Sequence, residues 1–173
     1  YGKFGLVDTS LQHVLRDGKY QQRFEGGVRS ACFVKWPGVI GSGGVNQNIY
    51  SGVDLFTSFL QVAGAEMPAA TVIDGKPMIE SIITNKPVRN TFYAFAPQKE
   101  VQGVRYNNWK LVIDKRGGKT SLLLFNLAND PSELNDLASK NKNIVQTMYN
   151  LAVSAEQAVV NNLPLQETNN FNF

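Results

Sequence analysis

Residues 101–114 read VQGVRYNNWKLVID, and residues 121–126 read SLLLFN after the linker KRGGKT. Asn107-Asn108 separates two runs rich in β-branched and aromatic residues, the signature of a two-residue hairpin turn. Lys115–Lys119 holds Gly117-Gly118 and turns the chain again. Thr91–Ala96 adds a strand upstream. These runs predict an antiparallel meander of four strands: Thr91–Ala96, Val101–Tyr106, Trp109–Asp114 and Ser121–Asn126. Downstream, Ile144, Met148, Leu151, Ala152, Ala155 and Val159 form an apolar stripe, which predicts one long helix covering a face of that sheet. Between sheet and helix, Asp130-Pro131-Ser132-Glu133 reads as a helix start, with Asp130 as cap and Pro131 in the first helical position. The Asn-rich end, 161–173, reads as a loosely held tail.

Working upstream, the character changes near Asn85–Arg89. Residues 65–77 read as a loop with a turn at Asp74-Gly75, and Met78–Ile83 as a short helix. Val53, Phe56, Leu60 and Ala63 share one helical face, and Gly64 suits the residue just past a helix end. Ala31–Trp36 is short, apolar on both faces and stopped by Pro37-Gly38, which predicts a buried strand. Cys32 on that strand reads as a small buried hydrophobe. Residues 1–29 are polar and glycine-rich, and a loop of that length in a compact domain is usually functional or disordered. The class is therefore α/β, with an α+β C-terminal unit. The expected divisions are a first unit over 1–84, a small antiparallel-sheet unit with a long helix over 85–160, and a tail over 161–173.

The 173 residues are 43% hydrophobic and 18% charged, with a net charge of +3. That supports a packed core and excludes a disordered composition. The densest basic cluster is Lys115, Arg116 and Lys119, a solvated hairpin turn, so no nucleic-acid partner is expected. One cysteine permits no intrachain disulfide and no structural zinc site. No apolar run reaches the length of a membrane span. The chain begins at Tyr1, so the natural beginning is expected to lie upstream.

Several strings, in order, resemble the sulfatase family of the alkaline-phosphatase superfamily. Phe24-Glu25-Gly26-Gly27-Val28-Arg29 with Trp36-Pro37-Gly38 is similar to the family's aromatic-Glu-Gly-Gly-Ile/Val-Arg segment and the strand after it. Asp54-Leu55-Phe56, Leu60 and Ala63-Gly64 resemble the helix D-L-x-P-T-L-L-x-L-A-G, and Asp74-Gly75 the D-G that follows. Val104-Arg105-Tyr106 with Trp109-Lys110-Leu111 resembles a V-R-x-x-x-x-K-L hairpin. Leu124–Leu127, Asn129–Glu133 and Leu137-Ala138 resemble L-Y-D-L-x-x-D-P-x-E-x-x-N-L-A. The likeness covers residues 11–138. It implies that 1–84 is the end of a larger α/β domain, a large mixed sheet flanked by helices, with the smaller antiparallel sheet and helix beside it.

The resemblance also implies a chemistry, the hydrolysis of aryl or carbohydrate sulfate esters. Such a reaction needs a nucleophile, a divalent cation and groups that hold developing charge. The family's nucleophile is a formylglycine made within C/S-x-P/A-x-R. Cys32 is followed by Phe33, Val34, Lys35 and Trp36 and does not match. The family's calcium or magnesium ligands, including a D-N-G string, are also absent. No metal ligand is expected in this chain, which alone is expected to be inactive. Formylglycine and the cation are expected in an upstream part of the same protein, a partner to this segment.

What the chain does carry is Leu15-Arg16-Asp17-Gly18-Lys19-Tyr20-Gln21-Gln22-Arg23-Phe24-Glu25-Gly26-Gly27. This is similar to the family's L-R-x-G-K-G-x-x-Y-E-G-G loop, whose lysine contacts the sulfate, with one extra residue and with Tyr20 in place of a glycine. The resemblance makes Lys19 the catalytic cation and Arg23 a second, substrate-binding candidate, each set against a plain surface role. His13, the only histidine, could donate to the sulfate or protonate a leaving oxygen, or be a polar loop residue without a role. Glu25 and Arg29 read as partners for backbone amides and a buried ion pair that fix the loop. Trp36 and Trp109 read as core or interface residues. The alternatives are a non-catalytic anion-binding module and part of a related phosphate or phosphonate ester hydrolase. An unpaired sheet edge in 1–84 leads to the expectation of self-association, and family habit to a periplasmic or secreted location.

Overall fold

A computed structural model describes residues 15–165. Its core is the meander: β1 (Thr91–Phe95), β2 (Val101–Tyr106), β3 (Trp109–Asp114) and β4 (Ser121–Asn126), antiparallel in the order β1-β2-β3-β4. The turns are those the sequence calls for. Tyr106 pairs with Trp109 across Asn107-Asn108, and Asn107 takes φ 51°, which asparagine tolerates better than most residues. Gly117 and Gly118 sit at φ 71° and 74° in the next connection, a 3-10 turn at Arg116–Gly118. Beyond β4, Asp136 accepts the Leu124 N–H and Leu137 donates to the Leu124 carbonyl, so the β4 edge is partly occupied.

Helix α4 (Lys142–Val160) covers one face of the sheet. Met148, Leu151, Ala152 and Ala155 pack there against Val101, Val104, Tyr106, Leu111, Ile113 and Leu124. Ala158, not Val159, completes the buried stripe, with Val159 half-buried. On the opposite face Val112 and Phe125 meet Phe24 from the segment upstream of the sheet. The sheet is thus buried on both sides, by a helix and by a loop.

Three expected local elements do not form, each for an identifiable reason. Asp130–Glu133 is a turn and not a helix. The Asp130 carboxylate accepts the Leu134 and Asn135 amides, while Glu133 takes φ 53° and is fully buried, so the helix-start chemistry closes a local loop instead. Ala31–Trp36 forms no strand, and Cys32 is exposed. A strand apolar on both faces needs neighbours to satisfy its backbone, and among the described residues none lies beside it. Phe33 is 94% exposed. Asp74-Gly75 is not a turn either. Gly75 is packed where a Cβ would stand 2.1 Å from the Val53 carbonyl oxygen, so the glycine permits close approach.

Helix α2 (Asp54–Ala63) forms where its pattern places it and ends with Gly64 at φ 64°. Its orientation inverts the expected one. Asp54, Thr57 and Ser58 are buried, whereas Leu55, Phe56, Phe59 and Val62 face outward. The polar groups are all engaged. The Asp54 carboxylate accepts the Ser51 and Lys76 amides and pairs with Arg89, and Ser58 Oγ accepts the Met78 N–H. Short helix α3 (Ile79–Thr84) follows, close to its expected span.

Candidate functional site

The loop Arg16–Gly27 is wound on itself. The Gln21 N–H donates to the Gly18 carbonyl at 3.0 Å, the Phe24 N–H to Gln21 at 3.2 Å and the Gly26 N–H to Arg16 at 3.0 Å. Both glycines are required by crowding. A Cβ on Gly26 would lie 2.4 Å from the Asp17 carbonyl oxygen, and one on Gly27 2.1 Å from that of Gln21. Lys19 and Tyr20 occupy the middle of the Gly18–Gln21 turn and are both exposed. Tyr20 takes φ 73°, a left-handed conformation that favours glycine. It is the position at which the similar loops carry glycine. Lys19 Nζ stands 5.1 Å from the Tyr20 ring centre, the range of a cation–π contact.

Arg23 is turned toward the far end of the sheet. Its Nη1 lies 3.5 Å from the Asp114 carboxylate, and its guanidinium lies 5.5 Å from the Phe24 ring centre. Asp114 also accepts from Arg116 Nη2 at 2.6 Å. That bond holds its carboxyl at about 2, well below the usual carboxylate range. Tyr20, Gln21, Gln22 and Arg23 together with Pro97, Gln102 and Arg116 line a shallow cleft between loop and hairpin ends. Lys19 is not in that lining, so the loop presents Lys19 and Arg23 in different surroundings. His13 lies outside the described residues.

Beneath the loop is a buried charge cluster. Helix α1, a single turn at Glu25–Val28, puts the Glu25 carboxylate 2.9 Å from Lys110 Nζ and 3.3 Å from Arg105 Nη1. Lys110 is fully buried and Glu25 nearly so. Burial raises the Glu25 carboxyl, but the Lys110 charge and hydrogen bond, then Arg105, outweigh it and hold it below its ordinary value. The Glu25 N–H donates to Glu133 Oε2 at 2.8 Å, and Arg16 Nη1 donates to the Glu133 carbonyl at 2.8 Å. Glu133 Oε1 is buried without a hydrogen-bond partner. Burial pushes the Glu133 carboxyl up to about 7, partly offset by the Glu25 N–H.

Glu25 therefore has the loop-fixing role its sequence suggests, but its cationic partners come from the sheet. Arg29 is exposed. Lys110, Arg105, Glu133 and Arg16 are the residues sequence reading misses. A signal existed for Lys110, a lone cation in an apolar strand with the same facing as Val112. Glu133 carried none, since it read as part of a helix start.

Among the described residues no three His, Cys, Asp or Glu side chains are grouped to hold a metal ion. Asp54 and Glu25 are consumed by arginine, lysine and backbone partners. The described residues thus do not fit a divalent cation.

A family model described as "N-sulphoglucosamine sulphohydrolase, C-terminal" matches residues 16–158. The chain belongs to this sulfatase C-terminal family. It is 32% identical over 172 residues to bovine (Bos taurus) arylsulfatase A, covering 84% of this chain and 32% of that protein. It is 39% identical over 72 residues to N-acetylgalactosamine-6-sulfatase of pig (Sus scrofa), covering 39% of this chain and 14% of that protein. Among solved structures, that of Ps i-CgsB in complex with k-i-k-neocarrahexaose superimposes with a TM-score of 0.70 at 25% identity. That match covers 89% of this chain and 34% of the other. The matches span about a third or less of each of these relatives. The mixed α/β architecture, with its four-stranded sheet and packed C-terminal helix, is that of its sulfatase neighbours.

Proposed function

We propose that this segment serves as the C-terminal part of a sulfuric ester hydrolase of the alkaline-phosphatase superfamily, acting on aryl or carbohydrate sulfates. Its contribution is a loop that sets a fixed positive charge against a sulfuryl oxygen. The observation that carries this reading is the self-closed Arg16–Gly27 loop with Lys19 at its exposed turn, within a chain whose family model spans 16–158. A preorganised cation of this kind stabilises charge as it develops in the transition state. Lys19 is the proposed catalytic cation. Arg23, paired with Asp114, is proposed to bind substrate through the adjoining cleft, and His13 to donate toward the sulfate or the leaving oxygen.

The nucleophile (formylglycine) and a calcium or magnesium ion are expected from an upstream part of the same polypeptide. That part is also the proposed occupant of the outward face of α2. Leu55, Phe56, Phe59 and Val62 on that helix are exposed, as are Phe33 and Val34 within the stretch that forms no strand, and exposed apolar groups of this kind suit packing against a larger sheet. The intact protein is proposed to be periplasmic or secreted. No helix among the described residues is long and apolar enough to cross a membrane.

The test is Lys19→Ala in the full-length gene product, assayed on 4-nitrophenyl sulfate and on sulfated saccharides. The expected loss in kcat/KM is on the order of a hundredfold. Unchanged activity would remove Lys19 from the reaction. Hydrolysis of phosphate or phosphonate esters in preference to sulfates would replace the proposed substrate class.

A further inference from the structure

We infer that Glu133, from the turn after β4, is a positioning residue that holds both ends of the Lys19 loop in place. The inference rests on the proposed role of Lys19 and extends it to a residue outside that loop. Arg16, where the loop begins, donates to the Glu133 backbone carbonyl at 2.8 Å. Glu25, where it ends, gives its backbone N–H to the Glu133 carboxylate at 2.8 Å. One residue is therefore gripped from both ends of a ten-residue excursion whose middle is exposed.

The surroundings fit an anchor. Glu133 is fully buried, and its backbone sits at φ 53°, a conformation costly for a glutamate and held only when neighbours over-determine it. The Glu25 side chain is fixed independently by Lys110 and Arg105, so the loop's end cannot rotate to follow another acceptor. The Arg16 guanidinium also lies 4.0 Å from the Phe24 ring centre, and Phe24 is seated on Val112 and Phe125. The route from sheet to cation is short: Glu133 to Arg16 and Glu25, then through the Gly18–Gln21 and Arg16–Gly26 hydrogen bonds to the turn that carries Lys19. Loss of the bracket frees that turn without touching Lys19, and a displacement of about 1 Å at a catalytic group can cost on the order of a hundredfold in rate.

The experiment uses the full-length gene product and two readouts. The first is hydrogen exchange of the amides in residues 18–24. Glu133→Ala is expected to quicken it at least about tenfold, whereas Glu133→Gln, which keeps an acceptor for the Glu25 N–H, leaves it near wild type. The second is steady-state hydrolysis of 4-nitrophenyl sulfate. Glu133→Ala is expected to lower kcat by about ten- to a hundredfold with KM changed less than about threefold, and to add less than about twofold to the loss caused by Lys19→Ala. Arg16→Met, at a half-buried position, cuts the other end of the bracket and repeats both effects should Glu133→Ala fail to fold. Unchanged exchange in residues 18–24 overturns the inference whatever the activity. Equally, losses from Glu133→Ala and Lys19→Ala that multiply show that Glu133 does not act through Lys19. Faster exchange with an unaffected Lys19→Ala enzyme leaves the bracket standing and removes the proposed role of Lys19 instead.

Discussion

Lys110→Met tests the energetic centre of the structure. The wild-type ammonium is fully buried and lies 2.9 Å from Glu25. At that separation and an effective dielectric constant of about 20, the gross attraction is about 6 kcal/mol. Desolvation of both ions cancels much of this. Removing one partner nonetheless leaves the other charge buried, which typically costs about 3–5 kcal/mol. Arg105 remains 3.3 Å from the same carboxylate, so the expected loss is at the low end, about 3 kcal/mol. Met nearly matches lysine in volume, so cavity formation adds little. Read by hydrogen exchange of the β2 and β3 amides, about 3 kcal/mol corresponds to exchange faster by roughly two orders of magnitude. The double variant Glu25→Gln/Lys110→Met removes both charges and should recover to within about 1 kcal/mol of wild type. A change below tenfold for Lys110→Met, or a double variant no better than the single, would refute the account of this pair as mutually dependent charges.

Glu133 should impose a pH dependence. It faces Arg16 and Glu25 from the loop and Lys110 from β3, and its carboxyl is raised from 4.5 to about 7. The folded state then holds a proton that the unfolded chain has released, so stability falls as pH rises through about 5 to 7, by on the order of 3 kcal/mol in full. Thermal unfolding midpoints across pH 5–8 should fall, with a flatter profile in Glu133→Gln; a rising wild-type midpoint contradicts the burial argument. Gly27→Ala drives a Cβ to 2.1 Å from the Gln21 carbonyl oxygen, and should cut kcat/KM more than tenfold while circular dichroism of the sheet is unchanged; wild-type kinetics would show the loop can relax. Phe56→Ser/Phe59→Ser on the outer face of α2 should reduce self-association of the isolated chain by light scattering, and an unchanged particle size would place the contact elsewhere.

The meander and α4 were legible because their information is local. A two-residue Asn-Asn turn, paired glycines and an apolar stripe with helical spacing each act over a few residues. The helix expected at Asp130–Glu133 failed because the same capping chemistry also closes an isolated turn, and only the burial of Glu133 decides between them. The inward face of α2 was misread because hydrophobic spacing names the face that will be covered, not what covers it. Within residues 15–165 its partners are Ser51, Lys76, Met78 and Arg89, which engage the polar side.

By itself the sequence determined the four strands of the meander, the turns between them, the long helix, the presence of a glycine-rich loop ahead of them and, by resemblance, the sulfatase family. Tertiary structure alone decided what anchors that loop. Arg16 and Glu25 in the loop, Arg105 and Lys110 in the sheet and Glu133 in the turn after β4 come from three separate stretches of the chain, and nothing local to any of them names its partners. A buried charge is tolerated only where partners satisfy it. Which partners arrive is set by the facing of β2 and β3 and by the turn after β4, an outcome of packing that no spacing along the chain encodes.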